Sequence, residues 1–158
     1  MPKNIGKSFE NEIKDSIKSD IFYYRFRDTP ASYAKDKQTI RYIVPNPCDI
    51  FLFKSPYLYF LELKNVTSKK YFSFDTTALK QIERMNKLGE YEKFIKGFII
   101  TFRDFEETYF LELKDVNMFL KESGKKSINK KECNALGTHL PQQKKVKYYL
   151  YDLSPIIK

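Results

Sequence analysis

The sequence predicts an α/β fold, or its α+β relative, built on one mixed sheet. Three observations carry this: a helix-period stretch opens the chain, two short β-rich runs follow with only two residues between them, and a second helix-period stretch separates these from another strand pair. At 158 residues the chain is sized for one domain, with room for one sizeable core. Its 42% hydrophobic and 31% charged residues, with only 5 Gly and 7 Pro, exclude a disordered or fibrous chain.

Phe9, Ile13 and Ile17 recur every fourth residue within 6–18, with charged residues between them, which predicts an amphipathic helix with one buried stripe. The aromatic run IFYYRFR at 21–27 predicts a strand that Asp28-Thr29-Pro30 stops. No period is sustained across 28–44, so this stretch reads as a long loop or projecting hairpin, and loops of that length in a compact domain are usually functional. The runs CDIFLFK (48–54) and YLYFLELKN (57–65) flank Ser55-Pro56 and predict a tight hairpin at the centre of the sheet. A short strand at 71–74 leads to a helix capped by Asp75 or Thr76, buried through Ala78, Ile82 and Met85, and ended near Gly89. Gln81 sits at the margin of that inward stripe. Residues 95–102 and 108–113 predict a further strand pair, 116–123 a short helix, and 148–152 a last edge strand.

Lys plus Arg exceeds Asp plus Glu by 29 − 20 = +9, a balance that favours phosphate-bearing partners. Eight lysines against two glutamates in 121–147 place +6 of this in one basic C-terminal segment, which suits contacts to a DNA backbone. Two cysteines without paired spacing argue against a disulfide framework or zinc site and for buried thiols in a reducing cytoplasm. A lone His139 disfavours histidine-based triads and metal clusters, so chemistry falls to carboxylates and lysine. The opening residues carry no apolar signal region and no stretch is long and apolar enough to span a bilayer, so the expected setting is cytoplasmic and without a membrane partner.

Alternation along a strand places Glu62 and Lys64 on one face and Leu61 and Leu63 on the other. Asp49 opens the neighbouring strand, and the hairpin folds its carboxylate back towards Glu62. Two converging carboxylates repel unless a hard cation sits between them, which describes Mg2+, with Mn2+ as a substitute. Lys64 could then hold or deprotonate an attacking water, or neutralise charge on the phosphate, and the set suits phosphodiester hydrolysis.

Pro47-Cys48-Asp49 followed, 62 − 49 = 13 residues on, by Glu62-Leu63-Lys64 resembles the PD-(D/E)XK nuclease superfamily. The wider frame resembles the RecU-type Holliday junction resolvases of Gram-positive bacteria and their phages. It includes Gly6-Lys7-x-Phe9-Glu10 on the first helix, a long insertion before the aspartate, Gln81-Ile82-Glu83-x-Met85 after the lysine, the run YFLELK at 109–114, and Gly124-Lys125-Lys126-Ser127-Ile128. The resemblance covers nearly the whole chain. It implies a single nuclease domain over 1–158 with a restriction-endonuclease-like core, a central mixed sheet flanked by helices, and a stalk-like insertion at 28–44 between the first two strands. It also implies a homodimer that binds branched DNA, needs magnesium but no nucleotide cofactor, and makes paired symmetrical nicks in four-way junctions. Asp49 and Glu62 would be the metal ligands, Lys64 the catalytic lysine, Gln81 an active-site helper, and Glu10 an outer metal or water contact. Cys48 stands where relatives usually carry a small hydroxyl residue, and the insertion is shorter than in the bacterial enzymes, which points to a phage-type member.

Charged residues two apart on a strand are common, but the chain supplies its own control. Glu112-Leu113-Lys114 repeats the string, yet 13 residues upstream stands Ile99, so the second copy reads as structural. Glu10 has an ordinary reading too, because acids favour helix N-termini. In the insertion, Tyr33, Lys35, Lys37, Arg41 and Tyr42 interleave cations with aromatics, a pattern suited to phosphate contacts and base stacking; Lys125 and Lys126 add to it from the basic segment. A restriction or repair endonuclease cutting other branched or duplex DNA would keep this fold, but five arginines are few for reading bases in the major groove. A non-catalytic junction-binding module would have no need to keep Asp49, Glu62 and Lys64 in register.

Overall fold

The computed structural model describes residues 5–27 and 45–158. The stalk-like insertion and its candidate DNA contacts Tyr33, Lys35, Lys37, Arg41 and Tyr42 lie outside the described residues. Helix α1 (Ile5–Asp15) buries Phe9 and Ile13 completely, as their four-residue spacing requires. Strand β1 (Phe22–Arg25) pairs antiparallel with β2 (Ile50–Lys54), which turns through Ser55-Pro56 into β3 (Tyr57–Val66). β4 (Tyr71–Ser73) leads to α2 (Thr76–Asn86), where the Asp75 carboxylate accepts from the Ala78 amide at 2.9 Å and Ala78, Ile82 and Met85 are buried. Gly89 turns the chain out of this helix at φ +78°.

β5 (Phe94–Phe102) lies parallel to β3, the pairing expected when a helix crosses between two strands. A 3-10 turn at Arg103–Phe105 returns it antiparallel into β6 (Glu107–Glu112). Gly97 is required here by space: a Cβ would stand 2.2 Å from the Leu111 carbonyl oxygen. The described residues then continue through α3 (Leu113–Ser123), β7 (Ser127–Asn129), α4 (Lys130–Leu136), β8 (Thr138–His139), β9 (Gln142–Lys144) and β10 (Tyr149–Tyr151). The main sheet runs β1-β2-β3-β5-β6-β8, mixed as the sequence predicts.

One face of this sheet packs α1 and the β9–β10 hairpin through Phe9, Ile13, Leu52, Leu61, Ile99 and Tyr151. The other packs α2, α3 and the β4–β7 pair through Phe74, Ile82, Met85, Phe98, Ile100 and Ile128. Helices therefore flank the sheet on both sides. Among the described residues no helix is long and apolar enough to cross a membrane.

Three expectations change. The segment 121–147 is no bare basic tail, since it contains β7, α4, β8 and β9. Its charge is also partly neutralised: Lys125 pairs with Glu132, Lys130 with Glu107 and Lys144 with Glu106. Two of those acids lie outside the segment, so a charge count along the chain misses them. Residues 149–151 form a strand, but it pairs with β9 in a separate ribbon instead of edging the main sheet. The helix expected at 116–123 begins three residues earlier, at Leu113, whose side chain is buried.

Candidate active site

The β2–β3 hairpin register sets Ile50 opposite Leu61, so one residue further out Asp49 falls opposite Glu62. Thirteen residues is the separation that this hairpin needs to bring two acids together. The Asp49 carboxylate is fixed by accepting from the Leu63 amide at 2.8 Å. Glu62 is 1% exposed, on the face that α2 covers. Lys64 Nζ, two residues on along the same face, donates to Glu62 Oε1 and to Gln81 Oε1, each at 2.8 Å. Gln81 Nε2 in turn donates to Glu62 Oε1. Gln81 reaches the site because it lies three residues after Ala78 on α2, beside the stripe that packs on the sheet.

Burial, and then the Asp49 carboxylate, push the Glu62 carboxyl up to about 7, against the opposing pull of Lys64. Cys48, next to Asp49, is buried and its thiol donates to the Ile50 carbonyl at 3.1 Å. Burial first, then Glu62 and Asp49, hold that thiol far above the ordinary range, so it is an inert packing group and not a nucleophile.

The structure thus joins Asp49, Glu62, Lys64 and Gln81 through these bonds. Glu10, on α1, pairs with Arg25 of β1 at 2.5 Å. Arg25 went unmarked in the sequence reading; its only signal was a cation within an aromatic run, which Arg27 shares. The second ELK string spans the end of β6 and the start of α3, where Lys114 and Glu112 form a solvent-facing pair at 2.9 Å. Lys125 and Lys126 are exposed beside the β4–β7 pair, the first held by Glu132 at 2.5 Å.

The donor chemistry at Asp49 and Glu62 fits a hard divalent cation: two carboxylates side by side, that of Glu62 deeply buried. Among the described residues no group of three His, Cys, Asp or Glu side chains gathers. The remaining positions of such an ion would therefore fall to water, main-chain or phosphate oxygens, as is usual for magnesium.

The profile of the family described as Recombination protein U matches residues 4–153. The SPbeta prophage-derived protein YotM of Bacillus subtilis (strain 168) is 31% identical over 169 residues, covering 97% of this chain and 85% of that protein. Among solved structures, Hjc of Archaeoglobus fulgidus, a Holliday junction resolvase from an archaeal hyperthermophile, superposes with a TM-score of 0.52 at 14% identity. That match covers 85% of this chain and 95% of Hjc, and it supports the restriction-endonuclease-like reading of the mixed sheet and its flanking helices.

Proposed function

The chain belongs to the Recombination protein U family, and from that premise we propose that it is a structure-selective endodeoxyribonuclease that resolves four-way DNA junctions, acting as a homodimer with magnesium. The observation that carries the reading is the buried Glu62 carboxylate held beside Asp49, with Lys64 and Gln81 both bonded to it. A carboxylate buried as Glu62 is, next to a second acid, costs stability that a bound cation would offset.

Asp49 and Glu62 would hold the ion, which when bound polarises a phosphoryl oxygen and acidifies water. Leu63 N–H fixes the Asp49 carboxylate, and Gln81 fixes Glu62 while leaving its second oxygen for the cation. Lys64 engages two of its three ammonium protons with Glu62 and Gln81 among the described residues, and the third suits a phosphate oxygen or the attacking water. Exposed lysines, Lys126 among them, supply contacts to DNA backbone. The residues 28–44 would supply the contacts at the junction centre.

The test is incubation with a labelled four-way junction, a replication fork and a linear duplex of equal length, with magnesium or EDTA. Paired symmetrical nicks in the junction alone, lost with EDTA, support the reading; cutting of fork or duplex equally well, or binding without cleavage, overturns it.

A further inference from the structure

Strands β9 and β10 form a hairpin closed by Lys145-Val146-Lys147-Tyr148, in which Lys144 pairs with Tyr149 and the Lys145 amide donates to the Tyr148 carbonyl at 2.8 Å. Val146 is 98% exposed, more than any other large hydrophobic residue among those described, and Tyr148 beside it is 45% exposed. Neither Val146 nor Lys147 takes the positive φ of the turns that favour two-residue hairpins, and neither is the Gly, Asn or Asp that such turns select. Turn chemistry therefore does not account for the residues at this tip. A side chain that breaks a local rule in full view of solvent points to a role outside the fold.

The contacts of the hairpin place its tip. Tyr151 N–H donates to Ser16 Oγ at 2.8 Å and Tyr149 N–H to Glu12 Oε1 at 3.2 Å, so the ribbon runs back along α1 from Ser16 to Glu12. Its tip continues towards the N-terminal half of α1, where Glu10 pairs with Arg25, whose strand partner Ile50 follows Asp49. A second anchor is Glu106, which accepts from Lys144 and, at 2.8 Å, from the Tyr149 hydroxyl. Glu106 stands in the turn that ends β5, and β5 runs parallel to β3 with Ile100 opposite Lys64. The tip thus lies at the end of the sheet where β3 presents Glu62 and Lys64.

We propose that this tip is a wedge that grips DNA beside the hydrolytic site, with Val146 against sugars or base edges of the minor groove and Lys145 and Lys147 on the flanking phosphates; the inference rests on the function proposed above. Charge commits it to DNA. Lys144 is held by Glu106, but no acid pairs with Lys145 or Lys147 among the described residues, which leaves two cations on either side of one apolar side chain. Apolar side chains set into the groove, with cations on the adjacent phosphates, are how architectural proteins hold a deformed duplex. A protein partner is disfavoured by area, since one valine and half a tyrosine fall far short of the roughly 800 Å² that a stable interface needs on each side.

The test uses full-length variants and a four-way junction in EDTA, so that binding is read without cleavage. Lys145→Gln combined with Lys147→Gln should lower the slope of log affinity against log salt by about 1 to 2, near 0.9 for each lost phosphate contact. Val146→Ser should weaken binding by about 5-fold and leave that slope unchanged. Val146→Cys labelled with bimane should shift its emission when the junction is added; Cys48 and Cys133 are both buried and leave the tip as the ready target. An emission that does not move while the wild type binds overturns the proposal, as do wild-type affinity and slope in the other variants, and both leave the nuclease reading standing. A lower slope with Val146→Ser at wild-type affinity makes the tip a plain cationic contact and rejects the wedge. An emission shift on concentrating the labelled protein without DNA assigns the tip to a contact between copies and rejects it too. A wild-type chain that neither binds junctions here nor nicks them with magnesium sinks the nuclease reading, and the inference with it.

Discussion

Lys64 Nζ and Gln81 Oε1 lie 2.8 Å apart, joining a strand residue to a helix residue through a group they both also share with Glu62. The triangle leaves neither Lys64 nor Glu62 free to rotate independently, so on the proposed function the amide would be the positioning residue of the site. Replacing it is therefore informative. Gln81→Ala should lower single-turnover nicking by about 10- to 100-fold, the usual cost of losing a partner that orients a metal ligand, while junction binding by gel shift stays within about twofold. Unchanged nicking would remove Gln81 from the machinery.

Asp49→Asn keeps an oxygen for the Leu63 amide but loses the charge that a cation needs. The fold should persist by circular dichroism, and magnesium-dependent cleavage should fall by at least about 1,000-fold, since a neutral amide cannot replace a carboxylate ligand for a hard ion. Glu112→Gln, in the second ELK string, is the control and should cleave like wild type.

Arg103 clamps the buried Glu12 of α1 through two bonds of 2.6 Å and donates to the Tyr151 hydroxyl at 2.9 Å, docking the β9–β10 ribbon on α1. Arg103→Met leaves Glu12 buried without its countercharge and should cost about 3 kcal/mol in urea unfolding, as severed buried pairs do. A loss under 1 kcal/mol would show that solvent reaches Glu12.

The Glu107 carboxyl is held below its ordinary range, first by the Tyr109 hydroxyl at 2.5 Å and then by Lys130 at 2.9 Å. A carboxyl depressed in the folded state stabilises it above the unfolded pKa and loses that contribution as pH falls through the folded one. Glu107→Gln should therefore cost about 1 kcal/mol at pH 7, and the gap to wild type should close as pH falls below about 4. A gap that stays constant with pH would mean that the loss is packing and not charge.

Burial pushes the Cys133 thiol up to about 12 and that of Cys48 higher still. Only a thiolate attacks an alkylating or disulfide reagent, so neither cysteine should label in the native protein at pH 8, and both should label at once in denaturant. Rapid labelling of one thiol without unfolding would expose a local opening around it.

The central hairpin, α2 with its Asp75 cap, and the pairing of 95–102 with 108–113 were legible because each is a local pattern: two apolar runs with a two-residue break, or a capping acid before a period of 3.6. The elements in 121–147 were hidden by composition. Helix α4 buries a single side chain of its seven residues, Cys133, and β8 is two residues long, so neither shows a period. A signal was available in Asn129 and Glu132, which form a capping box at 3.0 and 2.9 Å, but lysines on all sides drew attention to charge. At the site, Asp49, Glu62 and Lys64 could be read because hairpin geometry converts sequence spacing into proximity. The Arg103–Glu12 clamp could not, since 91 residues separate its partners and no spacing rule connects them.

Strand β3 carries Glu62 and Lys64 and lies inside the main sheet, paired with β2 over residues 57–61 and with β5 over residues 58–66. Amides paired in the middle of a sheet are expected to exchange with solvent more slowly than those of short outer elements such as β8. Glu62 and Lys64 are thus mounted on a strand in the interior of the main sheet. On the proposed function, adjustment to the angle of an incoming DNA arm would come from the DNA or from peripheral segments, with the acid and the lysine offered to each phosphate as a rigid template.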